Sequence, residues 1–172
     1  MNIDNKHHQT KPIRMKIIRN FALLFAILSY GLVTAQEPTV VITLTVATDA
    51  LGDDRNAPGA CTFTVVPASK VVVNDPNNPK TFTIKVEESD VIEWQGVTTT
   101  GGEVKMKKVT FIGGTDIFNS NPGGRNSNGK EKIKAKPNKK TPPGKDYEYS
   151  IRFKPDGFKF YEIDPRIRVG SQ

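Results

Sequence analysis

The chain has one cysteine, one tryptophan and two histidines in 172 residues. A single cysteine, Cys61, excludes an intrachain disulfide framework and any zinc or iron–sulfur site built from several thiolates. Both histidines, His7 and His8, lie near the start, so residues 36–172 carry no imidazole. That removes Ser-His-Asp and Cys-His hydrolysis, which need an imidazole base beside the nucleophile. Long apolar runs are also scarce. Residues 21–33 form a charge-free stretch of 13, short of the ~20 that a membrane-spanning helix needs. Beyond residue 35 no segment repeats apolar residues at helical spacing, and no internal repeat is visible.

The short apolar run reads as an address. Lys11, Arg14, Lys16 and Arg19 precede it and Val33-Thr34-Ala35 closes it with small residues. A basic start, a short apolar centre and an A-x-A-like end are the parts of a secretory signal, with cleavage expected after Ala35. Met15 opens a compact signal of its own, so residues 1–14 read as an upstream extension or a misplaced start, with Met15 the expected true start. The Ala35-Gln36 junction resembles those of exported proteins of the Bacteroidetes group. No cysteine comes immediately after the run, so no lipoprotein attachment is offered, and the expected product is soluble, periplasmic or extracellular. Residues 1–35 hold five of the 25 basic and one of the 18 acidic residues, so residues 36–172 keep 20 and 17, a net of +3 against +7 for the whole.

What is present from residue 36 onward is alternation. Val40–Val46 is β-branched, and Cys61, Phe63 and Val65 alternate with threonines. Val71 and Val73 suggest a short strand. Phe82, Ile84 and Val86 repeat every second residue, as do Ile92 and Trp94, and Tyr147, Tyr149, Ile151 and Phe153. Period two marks half-buried strands. Val104 and Met106 are followed on the opposite parity by Val109 and Phe111, which predicts a bulge near Lys107-Lys108, because one extra residue restores the inward face. Ile163, Ile167 and Val169 mark the last strand. Asp75-Pro76-Asn77-Asn78-Pro79, Gly101-Gly102, Gly113-Gly114 and Pro155-Asp156-Gly157 supply turns. The expected fold is all-β: an antiparallel Greek-key sandwich of seven to nine strands over residues 36–172, preceded by a signal-peptide helix.

Two segments give that expectation a family. Glu88–Trp94 resembles the x-G-D-x-V-x-W strand of cupredoxin-like sandwiches, and Tyr147–Val169 resembles their closing pair of strands. The resemblance implies a sandwich, though an immunoglobulin-like one shares the pattern. Copper-binding members join the last two strands through a Cys…His…Met loop. Here the join is Phe153-Lys154-Pro155-Asp156-Gly157-Phe158, with neither thiolate nor imidazole, and blue copper needs both. No copper or other cofactor is therefore expected, and a degenerate cupredoxin-like redox carrier stays as a lesser alternative.

Cys61 alternates with core residues and reads as a small buried hydrophobe. Glu87, Glu88, Asp90 and Glu93, with Asp156, Glu162 and Asp164, are the carboxylates a small secreted carbohydrate-active enzyme would have to use in pairs. They read first as solvated turn and edge positions. Asp49, Asp53 and Asp54 share a loop that could offer oxygens to Ca²⁺, but their spacing does not fit an EF-hand. The strongest anomaly is residues 125–145, where Arg125, Lys130, Lys132, Lys134, Lys136, Lys139, Lys140 and Lys145 face only Glu131, a net of +7 in 21 residues. Lys130 to Lys136 alternate, so these four lysines are expected on one face of a ribbon, within a basic hairpin or loop at about 119–145. Arg125, Lys130, Lys132, Lys134, Lys136, Lys139 and Lys140 are the candidate anion contacts; lysines that merely guard a strand edge are the alternative. No aromatic interleaves with them, which speaks against nucleic acid. The expectation is an exported, non-enzymatic binding or structural module whose partner is an anionic polysaccharide or an envelope protein.

Overall fold

A computed structural model describes residues 36–56 and 58–170, so the expected signal segment lies outside the described residues. The strands belong to the unit Glu37–Gln172. They are β1 (Val40–Val46), β2 (Cys61–Val66), β3 (Val71–Val73), β4 (Thr83–Val86), β5 (Ile92–Thr98), β6 (Glu103–Gly114), β7 (Gly124–Ser127), β8 (Lys130–Ala135), β9 (Tyr147–Pro155), β10 (Tyr161–Ile163) and β11 (Arg166–Val169). Helical structure among the described residues is limited to three-residue 3₁₀ turns.

The alternation does what period two requires. In β1 Val40, Ile42, Leu44 and Val46 are buried and the residues between them are partly exposed. In β9 Tyr147, Tyr149, Ile151 and Phe153 are buried. The bulge falls where parity demands it. Met106 stands opposite Phe153 and Lys108 opposite Arg152, so Lys107 is the additional residue, and Val104, Met106 and Val109 all point inward.

The strands form one continuous sheet in the order β2-β1-β5-β6-β9-β11-β4-β3, with β10 on β9 and the β7–β8 hairpin on β5. This corrects the expectation of purely antiparallel pairing. β1 runs parallel to β5, and β4 parallel to β11. Period two reports which face a residue occupies, and is blind to which strand comes to lie beside it. Eleven strands, against the expected seven to nine, arise because Asp164-Pro165 splits the last run into β10 and β11 and because the 124–135 segment forms a true hairpin. The sheet curls until its ends meet: Phe63 of β2 stacks on Phe82, just before β4, with ring centroids 4.5 Å apart. The result is a nearly closed, barrel-like sheet around one core.

That core holds Trp94, whose Nε1–H donates to the Tyr149 hydroxyl at 3.1 Å. Tyr147 lies beside them, stacked on Tyr149 at 5.5 Å and edge-on to Phe118 at 5.2 Å. Burial raises the phenol pKa values of Tyr147 and Tyr149 far above the ordinary range.

The position of the basic hairpin follows from the divergence of β5 and β6. Their ladder is limited to Gly96 opposite Val104 and Val97 opposite Glu103. A Cβ at Gly96 would come within 2.7 Å of Val104 Cβ, so glycine permits the close crossing. β6 then bends away at its bulge, and β8 takes its place beside Ile92, Glu93 and Trp94.

Candidate anion-binding site

The hairpin is built around Asn128-Gly129. Ser127 pairs with Lys130, leaving two loop residues at φ 53° and 78°. Positive φ at both positions is the type I′ turn, whose twist matches that of the strands, and Asn-Gly is its preferred dipeptide. Ile133 faces inward and is fully buried, so Lys130, Lys132 and Lys134 share the outward face of β8.

Those lysines are not equivalent. Glu93 stands opposite Lys134 across the β5–β8 ladder. Its carboxylate, 7% exposed as a residue, accepts from Lys132 Nζ at 2.7 Å and lies 3.7 Å from Lys134 Nζ. Cross-strand pairs of opposite charge stabilise a ladder modestly. Glu131, on the other face, pairs with Lys107 at the bulge, and its N–H donates to Glu103 Oε1 at 3.3 Å. So two of the four stripe lysines hold the hairpin to the sheet, while Lys130 and Lys136 have no ion pair among the described residues.

Arg125 on β7 is exposed and likewise unpaired among the described residues. It borders two depressions. One, of about 220 Å³, is lined by Glu93, Asn126, Ser127, Lys132 and Lys134 besides Arg125. The other, of about 410 Å³, runs between the 118–124 segment and the end of β8, where Lys134 and Lys136 face Arg125.

Lys139 and Lys140 are placed elsewhere. They belong to the connection between β8 and β9, which Thr141 pins to β11: Val169 N–H donates to Thr141 Oγ1 at 3.1 Å, and Thr141 N–H to Val169 O at 3.1 Å. Lys140 Nζ is 3.9 Å from Glu88 Oε2. The structure thus brings Arg125, Lys134 and Lys136 around one groove and puts Lys130 near the hairpin tip.

Several of the other acidic candidates have local partners, and the thiol is enclosed. Cys61 is buried, and burial pushes its thiol up to about 12, the reverse of what a nucleophile needs. The carboxylates are met by separate cations: Asp90 by Lys70 at 2.7 Å, Asp156 by Lys105 at 3.6 Å and Glu162 by Arg152 at 3.9 Å. In the acidic loop Asp53 Oδ1 lies 3.1 Å from Lys159 Nζ, and Asp54 Oδ1 accepts from Asn56 N–H at 2.9 Å. Among the described residues no cluster of His, Cys, Asp and Glu is arranged to hold a metal ion.

Sequence reasoning missed the neutral side of the groove. Asn121 Oδ1 accepts from Phe111 N–H at 2.9 Å, and Asn119 Oδ1 accepts from Asn138 Nδ2. The turn-rich run Asn119-Ser120-Asn121-Pro122-Gly123-Gly124 signalled a loop. Its placement beside β8 is a tertiary matter.

These features define an all-β protein with a curled, mixed sheet and a cationic hairpin paired to β5. No family model matches the chain, and no curated protein does. Among solved structures, the crystal structure of an inclusion body protein (PixA) from Burkholderia cenocepacia J2315 is similar, with a TM-score of 0.59, 10% identity, and coverage of 81% of this chain and 99% of that one. At that identity the likeness concerns the fold.

Proposed function

We propose that this protein is an exported, non-enzymatic β-rich module that contacts anionic polymers, such as an envelope polysaccharide, through its Lys-rich hairpin. The observation that carries this reading is the cation run of residues 125–145, net +7, of which Arg125, Lys130, Lys132 and Lys134 stand on a hairpin that Ile133 and Glu93 fasten to the sheet, with Lys136 just beyond it. Cations fixed on a rigid ribbon raise the local concentration of polyanions, an effect that salt screens. The signal-like residues 1–35 support export, and export makes nucleic acid a poor partner. The pairing of Asp90, Asp156 and Glu162 with three separate cations supports a binding role over carboxylate catalysis.

The finer architecture belongs to the same proposal. We read the curled sheet as a flattened, two-layered barrel with Greek-key connections, the sandwich that the cupredoxin-like or immunoglobulin-like resemblance implies. The crossing of Trp94 on β5 against Tyr149 on β9, strands that are not neighbours in the sheet, supports two facing layers.

Retention on immobilised heparin tests the contact. Arg125→Gln, Lys130→Gln and Lys136→Gln together break no ion pair among the described residues, so the fold should persist. The triple variant is expected to elute at clearly lower salt than the unmodified protein. Elution of both at the same salt rejects the hairpin as the contact.

A further inference from the structure

The groove between the 118–124 segment and the end of β8 has a lining that sets it apart from the exposed lysines around it. Its volume of about 410 Å³ falls in the range of small-molecule sites, ~300–1,000 Å³. Arg125, Lys134 and Lys136 contribute positive charge, and no acidic residue lines it. The neighbouring depression, by contrast, has Glu93 in its wall.

The neutral wall is held in place by backbone and amide bonds that leave donors over. Val109 N–H donates to Pro122 O at 2.8 Å, and Asn138 N–H to Ile117 O at 2.9 Å. These bonds tie the segment to β6 and to the connection after β8. The Oδ1 atoms of Asn119 and Asn121 are both occupied by protein donors. An amide has two N–H donors and one acceptor oxygen. With the oxygens engaged inside the protein, what Asn119 and Asn121 have left is their NH₂ groups. The wall therefore presents amide donors beside Ser120, opposite guanidinium and ammonium donors.

Two glycines border the groove. At Gly124 a Cβ would sit 2.0 Å from Met106 O, so the chain there lies flush on β6. At Gly123 a Cβ would meet nothing within 4 Å, so the space beside it is empty and a larger side chain fits without strain.

We propose that this groove is a subsite for one acidic saccharide unit, a sugar ring carrying a carboxylate. The carboxylate would lie among Arg125, Lys134 and Lys136, and the ring and hydroxyl oxygens would accept from the Asn119 and Asn121 amides. Charge alone would satisfy any polyanion. The oriented neutral donors match a ligand whose oxygens are mostly uncharged, and polyphosphate offers no hydroxyls at all. The inference rests on the polyanion reading above and narrows it from charge to a ligand class.

The experiment is calorimetric titration of the protein with trigalacturonate and, separately, with inorganic polyphosphate. It compares the unmodified protein with Gly123→Leu, Gly123→Ala and Lys130→Gln. Gly123→Leu adds a branched side chain to the groove lining and changes no cation. It is expected to weaken trigalacturonate binding about tenfold or more, with polyphosphate affinity changed less than about twofold. Gly123→Ala should fall between, and retains the test if the leucine variant does not fold. Lys130→Gln, outside the groove lining, should weaken both probes alike. Equal weakening of both probes by Gly123→Leu, or unchanged trigalacturonate affinity in a folded Gly123 variant, overturns the subsite. If polyphosphate binds and trigalacturonate does not, the subsite fails and the polyanion reading stands. If neither binds the unmodified protein, both fail.

Discussion

Asp90 shows how much one side chain can organise when its partners are distant in sequence. Its Oδ2 accepts from Lys70 Nζ at 2.7 Å and from Glu87 N–H at 2.8 Å, and its Oδ1 accepts from Thr39 Oγ1 at 2.9 Å. The residues just before β1, just before β3 and between β4 and β5 are thereby held at one carboxylate. Burial pushes this carboxyl up, but the Glu87, Lys70 and Thr39 hydrogen bonds and the Lys70 charge outweigh it and hold it below the usual value. A depressed folded pKa contributes stability that is present above the unfolded value of ~3.9 and is lost as pH falls through the folded one. Asp90→Asn is accordingly expected to cost about 1.5–3 kcal/mol at pH 7. In urea titrations the gap to the unmodified protein should close as pH drops below about 4. A gap that stays constant down to pH 2 would show that the charge is not what matters. In the sequence Asp90 stood out only as one acid of a cluster, because Thr39 and Lys70 lie 51 and 20 residues away.

Elements were legible where a local rule forced them. The parity switch between Met106 and Val109 has one economical solution, and the extra residue in β6 is Lys107. Deleting Lys107 would remove the first register shift of β6 and turn either Val104 and Met106 or Val109 out of the core. Because a one-residue slip inverts every side chain, the deletion variant is expected to lose its cooperative unfolding transition, seen by Trp94 fluorescence. An unchanged transition would mean that the bulge is dispensable. The alternating lysines pointed to a hairpin or loop at about 119–145, and the structure resolves it as a hairpin turned at Asn128-Gly129. Its neighbour was not legible. That β8 fills the wedge where β5 and β6 part depends on Gly96 and on the bend at the bulge, and this placement turns Lys132 and Lys134 into partners of Glu93.

Across the whole molecule, closure of the sheet rests on a contact between its two ends. Phe63 and Phe82 stack at 4.5 Å, and both are buried. Phe63→Ala is expected to cost about 3–5 kcal/mol, through lost transfer energy and the cavity left behind. Chemical denaturation measures it, and a cost below about 1 kcal/mol would show that the ends close without the ring pair. Charge also changes meaning at this scale. The net +7 of the chain falls to +3 over residues 36–172, and the cations of residues 125–145 differ in role: Lys132 and Lys134 pair with Glu93, while Arg125, Lys134 and Lys136 line the groove.

By itself the sequence determined the β class, the inward faces, the bulge at Lys107, the turns other than Gly113-Gly114, which instead ends β6, and the absence of imidazole from residues 36–172. Each of these follows from residue type or from neighbours within a few positions along the chain. Tertiary structure decided the parallel pairings of β1 with β5 and β4 with β11, the partners of Asp90 and Glu93, and the groove that Asn119 and Asn121 share with Arg125 and Lys136. Alternation specifies a face and carries no information about the neighbouring strand. A charge run specifies a potential, and which of its cations stay free is settled only by the carboxylates that folding brings beside them.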